Sequence, residues 1–168
     1  AGEADELRHN TARLIMPDQW SSLIKDLSRF AWTWNGFDQL DNDTYGYRIM
    51  SGGVDGLQVT RPGDAPSVTG ALVLQRLAEV AATELVNNTL GTDTGILGAV
   101  TTDHRPGDPE WNAATDAFFW RILARRPGED DRRALMNLWS TVNDAQGTNE
   151  AWVALLSALL RHPESVQY

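Results

Sequence analysis

Cysteine is absent from this sequence of 168 residues. Without thiols the chain cannot form disulfide bonds or use a cysteine nucleophile. It also cannot attach haem covalently in the c-type manner or hold zinc through thiolates. Chains without disulfides occur both inside and outside the cytoplasm, so this absence excludes several kinds of chemistry and leaves the compartment open.

Basic charge is also scarce, because 14 Lys and Arg residues face 23 Asp and Glu residues, for a formal net charge of −9. Nucleic-acid binding and adsorption to anionic lipid both require a basic surface, so neither class is favoured. An acidic surface suits a basic protein partner, although it also serves ordinary solubility. The longest apolar run, residues 151–160, falls short of the roughly 20 residues that span a bilayer, so no transmembrane segment is predicted.

Helical periodicity is what the sequence does contain. Hydrophobic residues make up 42% of the chain and seven residues are tryptophans, which is enough for one core in a single domain over residues 1–168. Pro17 and Pro109 are start signals, and Asn35-Gly36 is a stop signal. The pattern predicts an all-α fold, an irregular bundle of about five helices over residues 17–31, 66–87, 109–126, 129–142 and 149–161, with an extended tail over residues 164–168.

Residues 37–66 interrupt this periodicity. The segment is rich in Gly, Asp and Tyr, and neither a helical nor a strand period persists in it. Irregular stretches of this length inside a compact domain are usually functional or mobile. We therefore expect a long loop here that carries part of the function.

Three aspartates of this loop, Asp38, Asp41 and Asp43, suggest a calcium- or small-ligand-binding module, because clustered carboxylates suit calcium. The spacing departs from an EF-hand loop, since Tyr45 occupies the fifth position and no glutamate closes the site at the twelfth. Turn formation is the alternative, in which Asp side chains accept hydrogen bonds from nearby backbone N–H groups. No other cofactor is predicted.

A second polar cluster begins at Asp103-His104, with Asp108 and Glu110 close behind. An aspartate can orient a histidine that acts as a general base, so a small hydrolase is one hypothesis, with Ser51, Thr101 or Thr102 as nucleophile. A solvated loop that caps the next helix is the alternative. Arginines also gather around residues 121–133, which suits either an anion site or ordinary pairing with the acidic residues 129–131.

Aromatic residues flank the start of the irregular segment. Trp32 and Trp34 lie two residues apart, roughly 200° around a helix, so both cannot easily face one core. Aromatic side chains beside a loop are effective interface anchors, because they bury a large area at a small entropy cost. We predict that Trp32, Trp34, Tyr45 and Tyr47 bind a protein partner; the alternative is that the loop folds back and buries every ring.

Three local patterns resemble those of a known group of domains. They are RLIMPDQW at 13–20 with Ile24, Asp26 and Leu27, YRIMSGGVD at 47–55 with Val59-Thr60, and a closing stretch over residues 117–168 that contains FWRILARRP at 119–127 and LLSALLRHPE at 155–164. They are similar to segments of domains of unknown function in planctomycete-type and myxobacterial secreted proteins, which are often joined to c-type haem modules. The resemblance implies a periplasmic or secreted location and a partnership with redox proteins. It supplies no catalytic residue, and Ser165 stands where an aromatic residue is usual.

The first residue is Ala1 rather than methionine, which indicates either a processed precursor or a piece of a longer protein. Taken with the resemblance, the residues favour a non-catalytic interaction or structural subunit of an extracytoplasmic assembly, either redox or membrane-associated. The hydrolase at Asp103-His104 and the calcium- or ligand-binding module over residues 37–66 are the alternatives.

Overall fold

The structure is a computed structural model and describes residues 15–40, 46–51 and 67–166. Helices make up about two thirds of these described residues, and the only sheet among them is a two-stranded hairpin. The predicted all-α class is therefore confirmed. The elements are α1 Pro17–Ser28, β1 Thr33–Trp34, β2 Phe37–Asp38, α2 Tyr47–Met50, α3 Val68–Thr89, α4 Pro109–Leu123, α5 Glu129–Gln146, α6 Thr148–Leu160 and α7 Pro163–Val166.

Helix starts follow the signals in the sequence. Pro17 and Pro109 each occupy a first helical position, where the missing N–H costs nothing. The Ser67 hydroxyl accepts a hydrogen bond from the Gly70 N–H at 2.9 Å and so satisfies a free donor at the start of α3. The Asp131 carboxylate accepts the Gly128 N–H at 2.8 Å and does the same for α5.

Helix ends differ from the predicted ends by a few residues. The chain leaves α1 at Ser28 rather than at residue 31, because Arg29 adopts a left-handed conformation with φ 56°. Ala124, with φ 52°, ends α4 in the same way, so the last helical residue is Leu123, three residues before the predicted end at 126. By contrast, α5 continues to Gln146, beyond the predicted end at 142, until Gly147 with φ 99° stops it.

The predicted extended tail over residues 164–168 is wrong for its described part, because residues 163–166 form α7. Pro163 begins this short helix, and the Ser165 N–H and hydroxyl both donate to the His162 carbonyl, at 2.8 and 2.7 Å. The Glu164 carboxylate binds Arg125 at 2.7 Å, which holds the turn against the end of α4. Hydrogen bonds to His162 and an ion pair with Arg125, which is remote in the sequence, thus stabilise a helical turn where the sequence predicts an extended tail.

One hydrophobic core joins the long helices, with α6 packed between α3 and α5. The start of α6 lies beside the loop after α3, because the Thr148 hydroxyl donates to the Thr102 carbonyl at 3.3 Å. At this end of the bundle α3 and α5 finish while α4 and α6 begin. None of the described helices combines the length and apolar character needed to cross a membrane.

Candidate functional site

The Asn35-Gly36 pair forms the turn of a β-hairpin rather than a helix stop. Both residues have positive φ, 51° for Asn35 and 82° for Gly36, as a type I′ turn requires. Beyond the turn, Trp34 pairs with Phe37, Thr33 pairs with Asp38, and the Gln39 N–H donates to the Trp32 carbonyl at 2.8 Å. Trp32 and Trp34 therefore lie on an extended ribbon, and the predicted separation of roughly 200° around a helix is wrong.

The hairpin is attached to α1 through Asp38. The Lys25 ammonium lies 2.6 Å from Asp38 Oδ2, and the Ser21 hydroxyl donates to the same oxygen at 2.9 Å. The other carboxylate oxygen accepts the Leu40 N–H at 2.9 Å. Because the partly buried Asp38 carboxylate bonds both to side chains of α1 and to the backbone after β2, the hairpin has a fixed orientation on α1.

These bonds also place the first of the three predicted calcium ligands. A cation at Asp38 would have to compete with the Lys25 ammonium, which already neutralises the carboxylate. Asp41 and Asp43 lie outside the described residues, so the calcium site stays a prediction. Within the described ranges, no group of three His, Asp or Glu side chains is placed to hold a metal ion.

Two aromatic side chains are exposed at the hairpin tip, and we call this pair, Trp34 and Phe37, the hairpin face. Trp34 is 57% exposed and Phe37 is 54% exposed. Since directly paired residues of neighbouring strands lie side by side on one face of the ribbon, the two rings form one surface. Phe37 was not among the predicted partner-binding residues, although the Asn-Gly turn signal and an aromatic residue on each side of it could have indicated the pair.

The other predicted aromatic residues have different positions. Trp32 packs on Tyr47 of α2 with a ring separation of 4.7 Å, and both are partly buried against the core. Tyr45 lies outside the described residues. The structure therefore brings Trp32 and Tyr47 together as a support and leaves Trp34 exposed beyond them.

Helix α2 in turn packs on the first turns of α3. A Cβ atom added to Gly70 would lie 2.9 Å from the Met50 carbonyl oxygen, so this close approach requires glycine. Val68 and Leu72, one turn apart on α3, are also strongly exposed. The hairpin is thus attached to α1 through Asp38 and to α2 through Trp32, and α2 in turn packs on the start of α3.

The Asp103-His104 cluster does not have the predicted arrangement. His104 Nδ1 accepts the Thr101 N–H at 2.9 Å, and His104 Nε2 faces Glu110 at 3.6 Å. Within the part of the chain that is described, Asp103 makes no bond to the His104 ring. The lone pair that a general base would use is already occupied by a backbone N–H, so the contacts resemble those of a loop cap more than those of a base.

Two of the nucleophiles suggested for this cluster lie in different places. The Thr101 hydroxyl lies 3.4 Å from His104 Nδ1. The Ser51 hydroxyl instead donates to the Tyr47 and Arg48 carbonyls in α2. Asp108 precedes α4 as predicted, but its carboxylate accepts the Arg105 N–H at 2.7 Å rather than an N–H of the helix.

The arginines of residues 121–133 are mostly paired with carboxylates. Arg125 binds Asp131 at 2.6 Å and Glu164 at 2.7 Å, and its guanidinium lies over the Phe119 ring at 5.1 Å. Arg132 pairs with Asp116, and Arg133 pairs with Asp130. Ordinary pairing, rather than an anion site, is therefore the arrangement found.

These bonds perturb the charges involved. Hydrogen bonds from Arg125 lower the pKa of both Asp131 and Glu164, and the same bonds raise the pKa of Arg125. We call this region, residues 121–133 and 161–165, the arginine end of the bundle. Its charges hold α4, α5 and α7 to one another.

Comparison with protein-family models, with curated proteins and with solved structures finds no match for this chain.

Proposed function

We propose that this domain is a non-catalytic interaction subunit of an extracytoplasmic assembly and that it docks on a partner protein through the hairpin face. The observation that carries the proposal is the pair of exposed rings, Trp34 and Phe37, on a hairpin whose base is fixed. A large exposed aromatic surface is costly in water and typical of a contact site.

The fixed base makes the hairpin face suitable for binding. Asp38 ties the second strand to Lys25 and Ser21, and Trp32 stacks on Tyr47 below the tip. A surface that is already ordered loses little conformational entropy when a partner covers it. Tryptophan and phenylalanine at the centre of such a surface can therefore supply much of the binding energy.

The compartment and the kind of assembly form the second part of the proposal. The short patterns at residues 13–20, 47–55, 119–127 and 155–164 support an extracytoplasmic location and a redox or membrane-associated complex. Fractionation of cells of the source organism, followed by immunodetection of this domain, should place it in the periplasmic or secreted fraction. Recovery only with cytoplasmic markers would contradict that part and leave the docking proposal standing.

A quantitative pull-down tests docking through the hairpin face. The double variant Trp34→Ala, Phe37→Ala should recover the partner from an envelope extract at least about tenfold less well than the wild type, because aromatic anchors are each worth about 1–2 kcal/mol or more. Circular dichroism and the melting temperature should stay close to wild type, since both rings lie outside the core.

Trp120→Ala is the matched control, because Trp120 is 63% exposed on α4 and lies outside the hairpin. The control should recover the partner as well as wild type. Equal recovery by the double variant and the wild type, with folding intact, would remove the hairpin face from the interface. Equal loss in the double variant and in Trp120→Ala would indicate non-specific adhesion of exposed aromatic rings.

A further inference from the structure

A groove lies at the opposite end of α3 from α2. It lies between the turn that follows α3 and the first turn of α4 and is lined by Ile96, Ala99, Val100, Pro109, Glu110, Ala113 and Ala114. Six of these seven residues are apolar, and Glu110 is the one charged residue among them. The groove is thus an open, largely apolar depression with one carboxylate on its wall.

The surroundings of this groove are strongly acidic. We call residues 91–110 and 143–150 the acidic end of the bundle; these ranges contain six carboxylates and one arginine. Asp93, Asp103, Asp144 and Glu150 are exposed. Arg105 is the one arginine in these ranges, and its guanidinium donates to the Thr102 and His104 carbonyls and lies over the Trp139 ring.

We infer that this groove binds a basic segment of a partner protein in which a lysine or arginine stands among aliphatic residues. The inference goes beyond docking through the hairpin face, because it concerns a second surface of different chemistry. Helix α3 separates the two regions, and its 22 residues correspond to roughly 33 Å at 1.5 Å per residue.

The chemistry of the groove selects this partner. A lysine or arginine side chain can lay its methylene stem along Ala99, Pro109 and Ala113 while its charged head reaches Glu110. The Glu110 side chain is 42% exposed, and its carboxylate lies 3.6 Å from His104 Nε2. The carboxylate is therefore accessible to a further donor, and the acidic surroundings would attract a basic segment from a distance.

Titration with fluorescent peptides tests the groove. The probe is a short peptide of lysine, leucine and alanine, compared with a peptide in which glutamate replaces each lysine. Fluorescence anisotropy should show saturable binding of the lysine peptide to the intact chain and none of the glutamate peptide. Glu110→Gln should weaken binding about tenfold, because it removes one charge-assisted hydrogen bond and keeps the shape.

Glu129→Gln is the matched control, because it removes the same charge at the exposed start of α5. It should leave the affinity within about twofold of wild type if the binding is local rather than a response to net charge. Ala113→Arg, which places a long cation on the exposed side of α4 at the groove, should abolish binding without disturbing the fold. The hairpin variant Trp34→Ala, Phe37→Ala should bind the peptide like wild type, so failure of one proposal is distinguishable from failure of the other.

Three outcomes would overturn the inference. One is the lack of saturable binding by the lysine peptide. Another is equal weakening by Glu110→Gln and Glu129→Gln. The last is undiminished binding to a folded Ala113→Arg variant, because the peptide would then occupy another surface.

Discussion

The two ends of the bundle hold their helices in different ways. At the arginine end, ion pairs connect the elements: Arg125 joins Asp131 and Glu164 while its guanidinium covers Phe119. At the acidic end, carboxylates outnumber arginine by six to one, and the buried Trp152 ring contacts the Trp111 and Trp139 rings at 5.9 and 6.3 Å.

The difference shows which end is suited to a partner. Charges at the arginine end are mostly satisfied within the chain, so they have little left to offer to another molecule. The acidic end obtains its stability from the buried tryptophan cluster, and its surface carboxylates therefore remain largely available. A bundle that is stabilised by buried aromatic rings can carry unbalanced surface charge, and that charge is available for recognition.

Replacing the central ring of the tryptophan cluster should have the largest effect. Trp152→Ala should lower the free energy of unfolding by about 3–5 kcal/mol, because the ring has no exposed surface and its removal leaves a cavity between α4, α5 and α6. Urea denaturation followed by circular dichroism measures this loss. Trp120→Ala, at an exposed position on α4, should change the stability by no more than about 0.5 kcal/mol. Similar losses in both variants would contradict the placement of the cluster in the core.

Removing the ion pairs of Arg125 at the arginine end should lower the free energy of unfolding by an intermediate amount. Arg125→Met removes two ion pairs and the contact of the guanidinium with Phe119, and it should lower the free energy of unfolding by about 1–2 kcal/mol. Arg126→Met is the control, because Arg126 is exposed in the same turn. It should change the stability by less than about 0.5 kcal/mol.

The loss in Arg125→Met should depend on pH. Arg125 lowers the pKa of Asp131 and of Glu164 in the folded state, so the unfolded state binds protons first as the solution is acidified. The stabilisation is complete above the ordinary carboxyl pKa of about 4 and is lost as pH falls through the lowered values. The difference between wild type and Arg125→Met should therefore be constant near neutral pH and shrink in acid. A difference that stays the same at every pH would mean that packing, not ion pairing, holds this end.

The smallest expected effect compares the two ends of one helix. Asp144 lies in the last turn of α5 at the acidic end, where its charge opposes the helix dipole, so Asp144→Asn should stabilise the domain by about 0.3–0.5 kcal/mol. Asp130 lies in the first turn of α5 and pairs with Arg133, so Asp130→Asn should destabilise it by a similar amount. Both shifts in urea midpoint should fade at high salt, because both positions are exposed. Changes of the same sign in the two variants would contradict this difference between the ends.

Much of the fold could be predicted from the sequence, because local signals and core periodicity agree in the long helices. Pro17, Pro109 and the acidic residues from Glu129 onward mark helix starts, and the structure begins helices at those residues. The helix ends were less predictable, since Arg29 and Ala124 adopt left-handed conformations that carry no glycine signal. Helix α7 is held in part by the ion pair between Glu164 and Arg125, and local sequence could not predict this pair because the two residues lie far apart in the chain.

The candidate sites were predictable only in part. Trp34 is exposed, but the sequence pattern predicts a helix stop at Asn35-Gly36 where the structure has a hairpin turn, and it does not predict the pairing of Trp34 with Phe37. The partners of Asp38 and His104 could not be read from spacing, because Lys25 and Ser21 come from another element and the Thr101 N–H from the backbone. The groove beside Glu110 arises from two segments whose contact no sequence pattern marks.

Site-specific photo-crosslinking can show directly whether the hairpin face docks on a partner protein. A photoreactive phenylalanine analogue would replace Phe37 in one strain of the source organism and Trp120 in another, and the cells would be irradiated. We expect a discrete adduct of one partner protein from position 37, no such adduct from position 120, and loss of the adduct when Trp34→Ala is added. The same adducts from both positions, or no adduct from position 37 in a folded and expressed protein, would contradict docking through the hairpin face.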